Sequence, residues 1–435
     1  MNVLWISRYG EGCDIAFRMI LDGHRVKVYI EETKMKDVGD GLVPKVSDWR
    51  PFVSWADLVC FDYNSDGMAK IWEEVHRKVP CFGGSSFGNR LESDRGFARD
   101  IMKRSGLPRL ESHSFKTLKE AHAHLKTHRV AHVIKPEGKD VEKHHLIVGE
   151  DEDNRDALLA VEELIDSGLK VDSVEVEEKK KGVEVGLSRF FNGADWVGPI
   201  GVNFEHKRSH ERETGFLTGE TGTLMKYAQD PDLPLFKETL AKVAPILRAA
   251  DYRGQIDLNM IVGRDERGER FVAPLEFTPR LGYPSWALED ELHVTPWEKI
   301  MHGCATGRKV EVQTHFDWCV GVLLIAFGFP FDDKIQNISK GRVIDNLDEH
   351  NVSDHLHPMN LSLNKKGQFV VSSGQGYVLV ATGRGHEIDD AKRRAYDAIN
   401  PLKLRDSYKR FDISDKISTY TLDELGILPL EEARA

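Results

Sequence analysis

Cysteine is scarce in this chain. Five residues in 435, Cys13, Cys60, Cys81, Cys304 and Cys319, are scattered without Cys-x-x-Cys spacing. An odd, dispersed set argues against a disulfide framework and against a structural zinc site. Long apolar runs are also missing. The most apolar stretch, Val320 to Phe331, is about 12 residues, short of the roughly 20 that a spanning helix needs, so no membrane partner is expected. There is no excess of basic charge: 60 Lys and Arg face 71 Asp and Glu, for a net charge of −11. A global basic footprint for nucleic acid is therefore absent. No internal repeat or low-complexity linker interrupts the chain. No charged-then-apolar leader precedes the first strand pattern, Val3 to Ser7, so a cytoplasmic protein is expected.

What is present is material for real cores. Hydrophobic residues make up 40% of the chain, and at roughly 150 residues per domain the length suits about three domains. The first 90 residues alternate short β runs (Val3–Ser7, Val26–Glu31, Leu58–Phe61) with helical patterns (Cys13–Asp22, Met68–Arg77), which predicts a parallel sheet flanked by helices. Glu92 to Gly106 reads as one helix stopped by Gly106-Leu107-Pro108. A small α+β pattern follows, with strands around Val133-Ile134-Lys135, Leu146–Val148 and Ser173–Glu178 and a helix over Arg155–Asp166. Hairpin signals stand at Asn364–Gly367 and Ser372–Gly376, then a strand Tyr377–Thr382 and a helix Glu387–Asp397.

Several residues carry chemistry. The loop Arg8-Tyr9-Gly10-Glu11-Gly12 lies between a strand and a helix, where backbone N–H groups can face an anion. The third glycine of a dinucleotide fingerprint would fall at Ile15, so the readings are a tight turn or a substrate-phosphate contact. Lys135 sits on an apolar strand, where an ammonium needs an anion such as a nucleotide phosphate. Glu177-Glu178-Lys179-Lys180-Lys181-Gly182-Val183-Glu184 follows a second apolar strand and reads as a hinge. Further on, Asp257 and Asn259 alternate on one strand, and Glu276, Thr278 and Arg280 on the next; the turn-rich Arg264–Gly268 between them predicts neighbouring antiparallel strands. Two acidic strand residues side by side repel unless a cation lies between them, and an oxygen-rich pair suits Mg²⁺ (or Mn²⁺) bridging phosphates. The 18 histidines, including His355-x-His357 and His144-His145, lack zinc spacing and read as solvated or locally bonded.

The order of these segments resembles the ATP-grasp ligases, and within them the phosphoribosylamine–glycine ligase family of purine biosynthesis. Leu91-Glu92-Ser93-Asp94-Arg95-Gly96-Phe97 is similar to the family's L-E-G-S-K-x-F; Val133-Ile134-Lys135 to its V-I-K strand; Glu177 to Glu184 to its E-E-F-L-x-G-E-E hinge. His206-Lys207-Arg208 matches D-H-K-R, and Thr214-Gly215, Thr218-Gly219 and Gly222 follow T-G-P-N-T-G-G-M-G. Glu276 to Gly282 follows E-F-N-x-R-F-G, and Tyr377–Thr382 and Arg410–Ile413 resemble the C-terminal V-L-x-V-T-A-x-G and R-x-D-I-G. The resemblance implies an α/β fold in four parts: an N-terminal parallel-sheet domain (1–108), an ATP-grasp lid (109–182), a central catalytic part (183–318) and a C-terminal α+β domain (319–435). It implies a cytoplasmic monomer or homodimer that uses ATP, a glycine-like amino acid and an amine acceptor.

Roles follow from the same resemblance. ATP would be bound by Lys135, Lys143, Glu177, Glu178, Lys179, Lys180 and Glu184, with Glu184 on the ribose. The metal would be held by Asp257, Glu276, Asn259 and Thr278. Lys207, Arg208, Thr214, Gly215, Thr218, Gly219, Arg280 and Gly282 would contact substrate, with Arg280 and Lys143 catalytic. The chain also departs from the pattern. Asp140-Val141-Glu142-Lys143-His144 replaces A-A-G-K-G, keeping only the lysine. Lysines 179 and 180 replace an apolar pair, Thr278 replaces a metal-binding asparagine, Tyr283-Pro284-Ser285 replaces acidic residues, and the N-terminal loop lacks G-G-R-E-H. Two other readings stand beside the ligase: a relative that joins an amino acid to a nucleoside-like amine, and a non-catalytic ATP-binding or scaffolding protein.

Overall fold

The computed structural model describes residues 1–108, 112–139, 141, 145–329, 337–348, 352, 355–374 and 376–434. The chain divides into two compact units. The first comprises 1–107, 184–260 and 275–435; the second comprises 108–183 and 261–274.

The first unit opens with β1 (Asn2–Ser7), α1 (Cys13–Leu21), β2 (Arg25–Ile30), β3 (Leu58–Phe61), α2 (Asp66–Val75) and β4 (Cys81–Phe82). The strands form a parallel sheet in the order β2-β1-β3-β4. Val3, Leu4, Trp5 and Ile6 are completely buried, as expected of a parallel strand covered on both faces. The expected helix over Glu92–Gly106 is in fact two, α3 (Ser86–Ser93) and α4 (Arg95–Arg104). Asp94 is extended, at φ −105° and ψ 95°, and its carboxylate accepts the Phe97 N–H at 2.9 Å. It ends one helix and caps the next; the apolar spacing alone hid that break.

The second unit contains β5 (Ser112–Phe115), α5 (Leu118–Thr127), β6 (His132–Glu137), β7 (Ile147–Val148), α6 (Arg155–Asp166) and β8 (Ser173–Glu178). Its sheet, ordered β5-β8-β6-β7, is antiparallel. Leu118, Ala121 and Leu125 of α5 and Ala157 and Val161 of α6 share a core with Ile134, Val174 and Val176. Burial alternates along β6, with Ile134 fully covered and Lys135 on the other face.

The largest sheet of the chain has nine strands. Its members are β9 (Val183–Asn192), β10 (Trp196–Glu205), β13 (Gly222–Ala228), β14 (Arg253–Arg264), β15 (Arg270–Thr278), β16 (Trp318–Ala326), β17 (Leu356–Pro358), β20 (Tyr377–Gly385) and β21 (Ser407–Tyr408). Between them come the hairpins β11 (Arg208–His210) with β12 (Thr214–Leu217), and β18 (Leu361–Leu363) with β19 (Phe369–Val371). The order is β15-β14-β9-β10-β13-β16-β20-β17, with β21 on β16. β16, which carries Val320–Ala326 of the most apolar stretch of the sequence, is buried along its whole length between β13 and β20. Strands from the segment 319–435 thus continue the sheet begun by 183–318.

The turn Asn364–Gly367 closes a hairpin, its Asn364 Oδ1 accepting the N–H groups of Lys366 at 2.8 Å and Gln368 at 3.1 Å. Ser372–Gly376 does not: β20 pairs with β16 and β17, because a strand with eight of its nine residues buried needs neighbours on both sides. Gln375 lies outside the described residues. No helix among the described residues is long and apolar enough to cross a membrane. His357 is buried and bonded to Asp14 and Thr382, each at 3.2 Å, and His355 to Glu291 at 2.9 Å; His144 lies outside the described residues.

Candidate active site

Alternation along β14 turns Asp257 and Asn259 to one face, both buried, at 7% and 4% exposure. Asn203 of β10 donates its Nδ2–H to Asp257 Oδ2 at 2.7 Å. The other carboxylate oxygen, Oδ1, is shut off from solvent and has no partner. Burial, followed by the charge of Glu205, pushes the Asp257 carboxyl up to about 7, against the pull of Asn203 and Lys207.

Lys207 follows the end of β10 and collects acids. Its Nζ lies 2.6 Å from Glu184, 3.2 Å from Glu205 and 3.8 Å from Glu276. Burial would lower its pKa, but Glu205, Glu184 and Glu276 outweigh it and hold it well above the usual lysine range. Asn259 Nδ2–H donates to Glu205 Oε1 at 3.4 Å. Nearby Glu220 is buried and driven well up, by burial first and then by Glu205; its Oε1 has no partner. Three carboxylates, Glu184, Glu205 and Glu276, therefore pair with one ammonium, and the buried Asp257 carboxyl feels the charges of Glu205, Lys207 and Glu276. A like-charge pair about 4 Å apart costs on the order of 4 kcal/mol at an effective dielectric of about 20. The excess negative charge is relieved by protonation, as the raised Asp257 and Glu220 carboxyls show, or by a further cation.

The donor set fits a hard divalent ion. It offers carboxylate and amide oxygens, and Asp257 Oδ1 has a free lone pair. No three His, Cys, Asp or Glu residues among those described already stand in a ligating array. Mg²⁺ does not require one, since it keeps several waters and binds through one or two carboxylates plus substrate phosphates.

Arg280, two residues beyond β15, is not free to receive an anion unaided. Its Nε–H and Nη2–H donate to Glu92 Oε1 at 3.0 and 2.9 Å, and Glu92 Oε2 accepts from Asn64 Nδ2 at 2.8 Å. Burial would lower its pKa, yet Glu92 raises it. Thr278 lies between Glu276 and Arg280 and is half-buried. A side chain at Gly282 would meet Ser285 Oγ at 2.0 Å.

The expected substrate loop is stitched locally. Thr218 Oγ1 donates to the Lys207 carbonyl at 2.9 Å, and Arg208 Nη1–H donates to the Gly215 carbonyl at 2.9 Å. Gly219 lies against Tyr377, whose hydroxyl accepts the Glu220 N–H at 3.0 Å. Thr214, at the exposed hairpin, donates to the Glu211 carbonyl at 2.8 Å. Arg410 clamps this loop, donating to Glu213, Asp412 and the Arg208 carbonyl, each at 2.8 Å.

The other expected ATP contacts belong to the second unit. There Lys135 pairs with Glu177, Lys180 with Glu178 at 2.7 Å and Lys179 with Glu150. Lys143 lies outside the described residues. Sequence reasoning passed over Glu205, Asn203, Glu220 and Glu92. Glu205 could have been found as the strand residue two before Lys207. Asn203 is joined to the site only by pairing across the sheet, Glu220 by the loop before β13, and Glu92 by its contact from α3 with Arg280.

Residues 93–280 match the family described as phosphoribosylglycinamide synthetase, ATP-grasp (A) domain. The chain is 26% identical over 369 residues to the phosphoribosylamine–glycine ligase of Listeria innocua, covering 81% of each chain. It is 26% identical over 349 residues to that of Synechocystis, covering 78% of each. Its fold is similar to the crystal structure of the same ligase from Thermotoga maritima, with a TM-score of 0.68 and 20% identity over 95% of this chain and 100% of that one. N5-carboxyaminoimidazole synthetase from Staphylococcus aureus, complexed with ADP, aligns with a TM-score of 0.57 at 13% identity over 92% of this chain and 97% of that one.

Proposed function

We infer that this chain, whose residues 93–280 belong to the ATP-grasp domain family of the phosphoribosylglycinamide synthetases, is an ADP-forming carboxylate–amine ligase of the phosphoribosylamine–glycine ligase kind. Its substrates on this reading are ATP, glycine and an amine of the phosphoribosylamine class, and its place is an amide-forming step of purine biosynthesis. The carboxylate attacks the γ-phosphorus of ATP and releases ADP. The amine then attacks the acyl phosphate carbon, loses a proton and expels phosphate.

The observation that carries the reading is the cluster of Glu184, Glu205 and Glu276 on Lys207 with the buried Asp257 under its electrostatic influence. Asp257 and Glu276, supported by Asn259, Thr278 and Glu205, would hold Mg²⁺ (or Mn²⁺), which when bound offsets phosphate charge. Lys207 keeps Glu184, Glu205 and Glu276 in place. Asn203 orients Asp257 by holding Oδ2, leaving Oδ1 open. Lys135, Lys143 and the Glu177–Lys180 hinge are the proposed nucleotide contacts. Glu92 fixes the Arg280 guanidinium, with Nη1 on the Leu281 carbonyl at 3.1 Å, as a preset charge for the acyl phosphate.

Asp257→Asn and Glu276→Gln test the reading. Each is expected to lower Mg²⁺-dependent ADP release, measured with glycine and phosphoribosylamine, by at least about 100-fold while circular dichroism stays unchanged. Wild-type turnover in both would remove the assigned site.

A further inference from the structure

The loop Arg8–Gly12 leaves the carboxyl end of β1, and Asp62 and Tyr63 leave that of β3, its neighbour in the sheet. β2 lies on the far side of β1 and β4 on the far side of β3, so the chain runs off in opposite directions from this pair. An open α/β sheet leaves a ligand crevice at such a point, and N–H groups that open a helix there suit a phosphate. Here those groups are already engaged. The Gly10 N–H donates to Ser7 Oγ at 2.7 Å and the Gly12 N–H to Asp62 Oδ2 at 2.7 Å; Trp5 Nε1–H donates to the same oxygen at 2.8 Å. The Tyr9 and Glu11 N–H groups bond to the Glu11 carboxyl. An anion in this crevice therefore needs another receptor.

Arg8 offers one. It is half-buried, and its guanidinium carbon stands 4.8 Å from the Tyr9 ring centroid and 5.3 Å from that of Tyr63. The two rings meet edge to face at 5.2 Å. No salt bridge or side-chain hydrogen bond occupies this guanidinium among the described residues. Attraction to two rings holds the planar head and leaves its N–H donors unspent. Such a fork suits a phosphate bidentately. Glu11, Glu32 and Glu92 act on the same rings, but none of them is on Arg8. Glu92 is paired with Arg280 at 2.9 Å, and Glu32 accepts the Lys34 N–H at 3.4 Å. Burial and Asp62 push the Glu11 carboxyl up to about 8, against the pull of Arg280, so at pH 7 it is mostly protonated. Spacing indicates what carries the anion. Arg280, the preset charge for the acyl phosphate, has its guanidinium carbon 5.4 Å from the same Tyr63 centroid. Both guanidinium carbons thus lie within 5.4 Å of one ring centroid, a separation that a pentose 5-phosphate can span from its C1 amine to its phosphate.

We propose that Arg8, set over Tyr9 and Tyr63, is the phosphate receptor for the acceptor amine: it takes the 5-phosphate of a pentosylamine whose C1 amine points toward Arg280. Calling the ligand the acceptor rests on the ligase reading above; its phosphate rests on Arg8, Tyr9 and Tyr63. The test titrates the full chain calorimetrically with ribose 5-phosphate, ribose and inorganic phosphate at fixed ionic strength. Ribose 5-phosphate is expected to bind at least about 10-fold more tightly than either of the others, and Arg8→Ala to weaken it by at least about 10-fold. Arg8→Lys keeps the charge but loses the fork, so it should weaken binding several-fold; it serves alone if Arg8→Ala does not fold. In turnover with MgATP, glycine and phosphoribosylamine, Arg8→Ala should raise KM for phosphoribosylamine by at least about 10-fold and leave KM for ATP in place. Equal ribose 5-phosphate affinity in wild type and Arg8→Ala overturns the proposal, as does inorganic phosphate or ribose binding as tightly as ribose 5-phosphate. The two readings fail separately. ADP release with an unchanged KM for phosphoribosylamine in Arg8→Ala removes the receptor alone. Ribose 5-phosphate binding that needs Arg8, in a protein that releases no ADP, removes the ligase reading alone.

Discussion

At the scale of single residues the protein keeps several acids buried without full compensation. Glu289, 2% exposed, is pushed up to about 8 by burial, against a hydrogen bond from Gln255. Asp257 is pushed up to about 7. The sign of the pH effect follows. In the unfolded chain a glutamate releases its proton near pH 4.3, whereas folded Glu289 keeps it until about pH 8. The native state therefore binds more protons across that window, and stability falls as pH rises through it. Without divalent cation, Tm is expected to drop by several degrees from pH 6 to pH 9, and Glu289→Gln should shrink that drop. Thermal denaturation at both pH values checks this; an equal drop in the variant contradicts it. Asp257→Asn removes a buried, half-satisfied charge, so the variant should be more stable than wild type at pH 8 by on the order of 1–3 kcal/mol, measured by urea unfolding.

At the scale of elements, two joints should be brittle. Gly383 of β20 packs under the helix Ile388–Ile399, and a Cβ there would meet the backbone of Ala395 at 2.2 Å and of Ala391 at 2.4 Å. Backbone cannot yield as a flexible side chain does, so Gly383→Ala should cost about 3 kcal/mol or more, or abolish folding. The urea midpoint or soluble yield reads this; a wild-type midpoint refutes the packing argument. The Glu92–Arg280 pair joins α3 to the end of β15. Glu92→Ala strands a half-buried guanidinium and should cost about 1–3 kcal/mol once solvent screening is allowed for.

Elements were legible in the sequence where one signal dominated. Alternation placed Asp257 with Asn259, and buried runs marked β1 and β3. The reading failed where two signals competed. At Asp94 a capping side chain broke an apolar spacing that looked continuous, and at Ser372–Gly376 turn chemistry gave no information about the partner strand. Lys207 was singled out only as a substrate contact. Its three acidic partners come from β9, β10 and β15, and only the sheet brings them together.

At the scale of the molecule, the sheet from β15 to β17 sets the geometry of the site, and chain order did not predict that its last strands come from residues 318–385. It gathers acids far apart in sequence around Lys207, and that excess charge is the basis of the ligase reading. The most direct measurement is binding of Mn²⁺ by electron paramagnetic resonance in the presence of a non-hydrolysable ATP analogue. Wild type should bind Mn²⁺ with the nucleotide, and Asp257→Asn should weaken that binding at least about 10-fold; equal Mn²⁺ affinity in the two proteins would contradict the account.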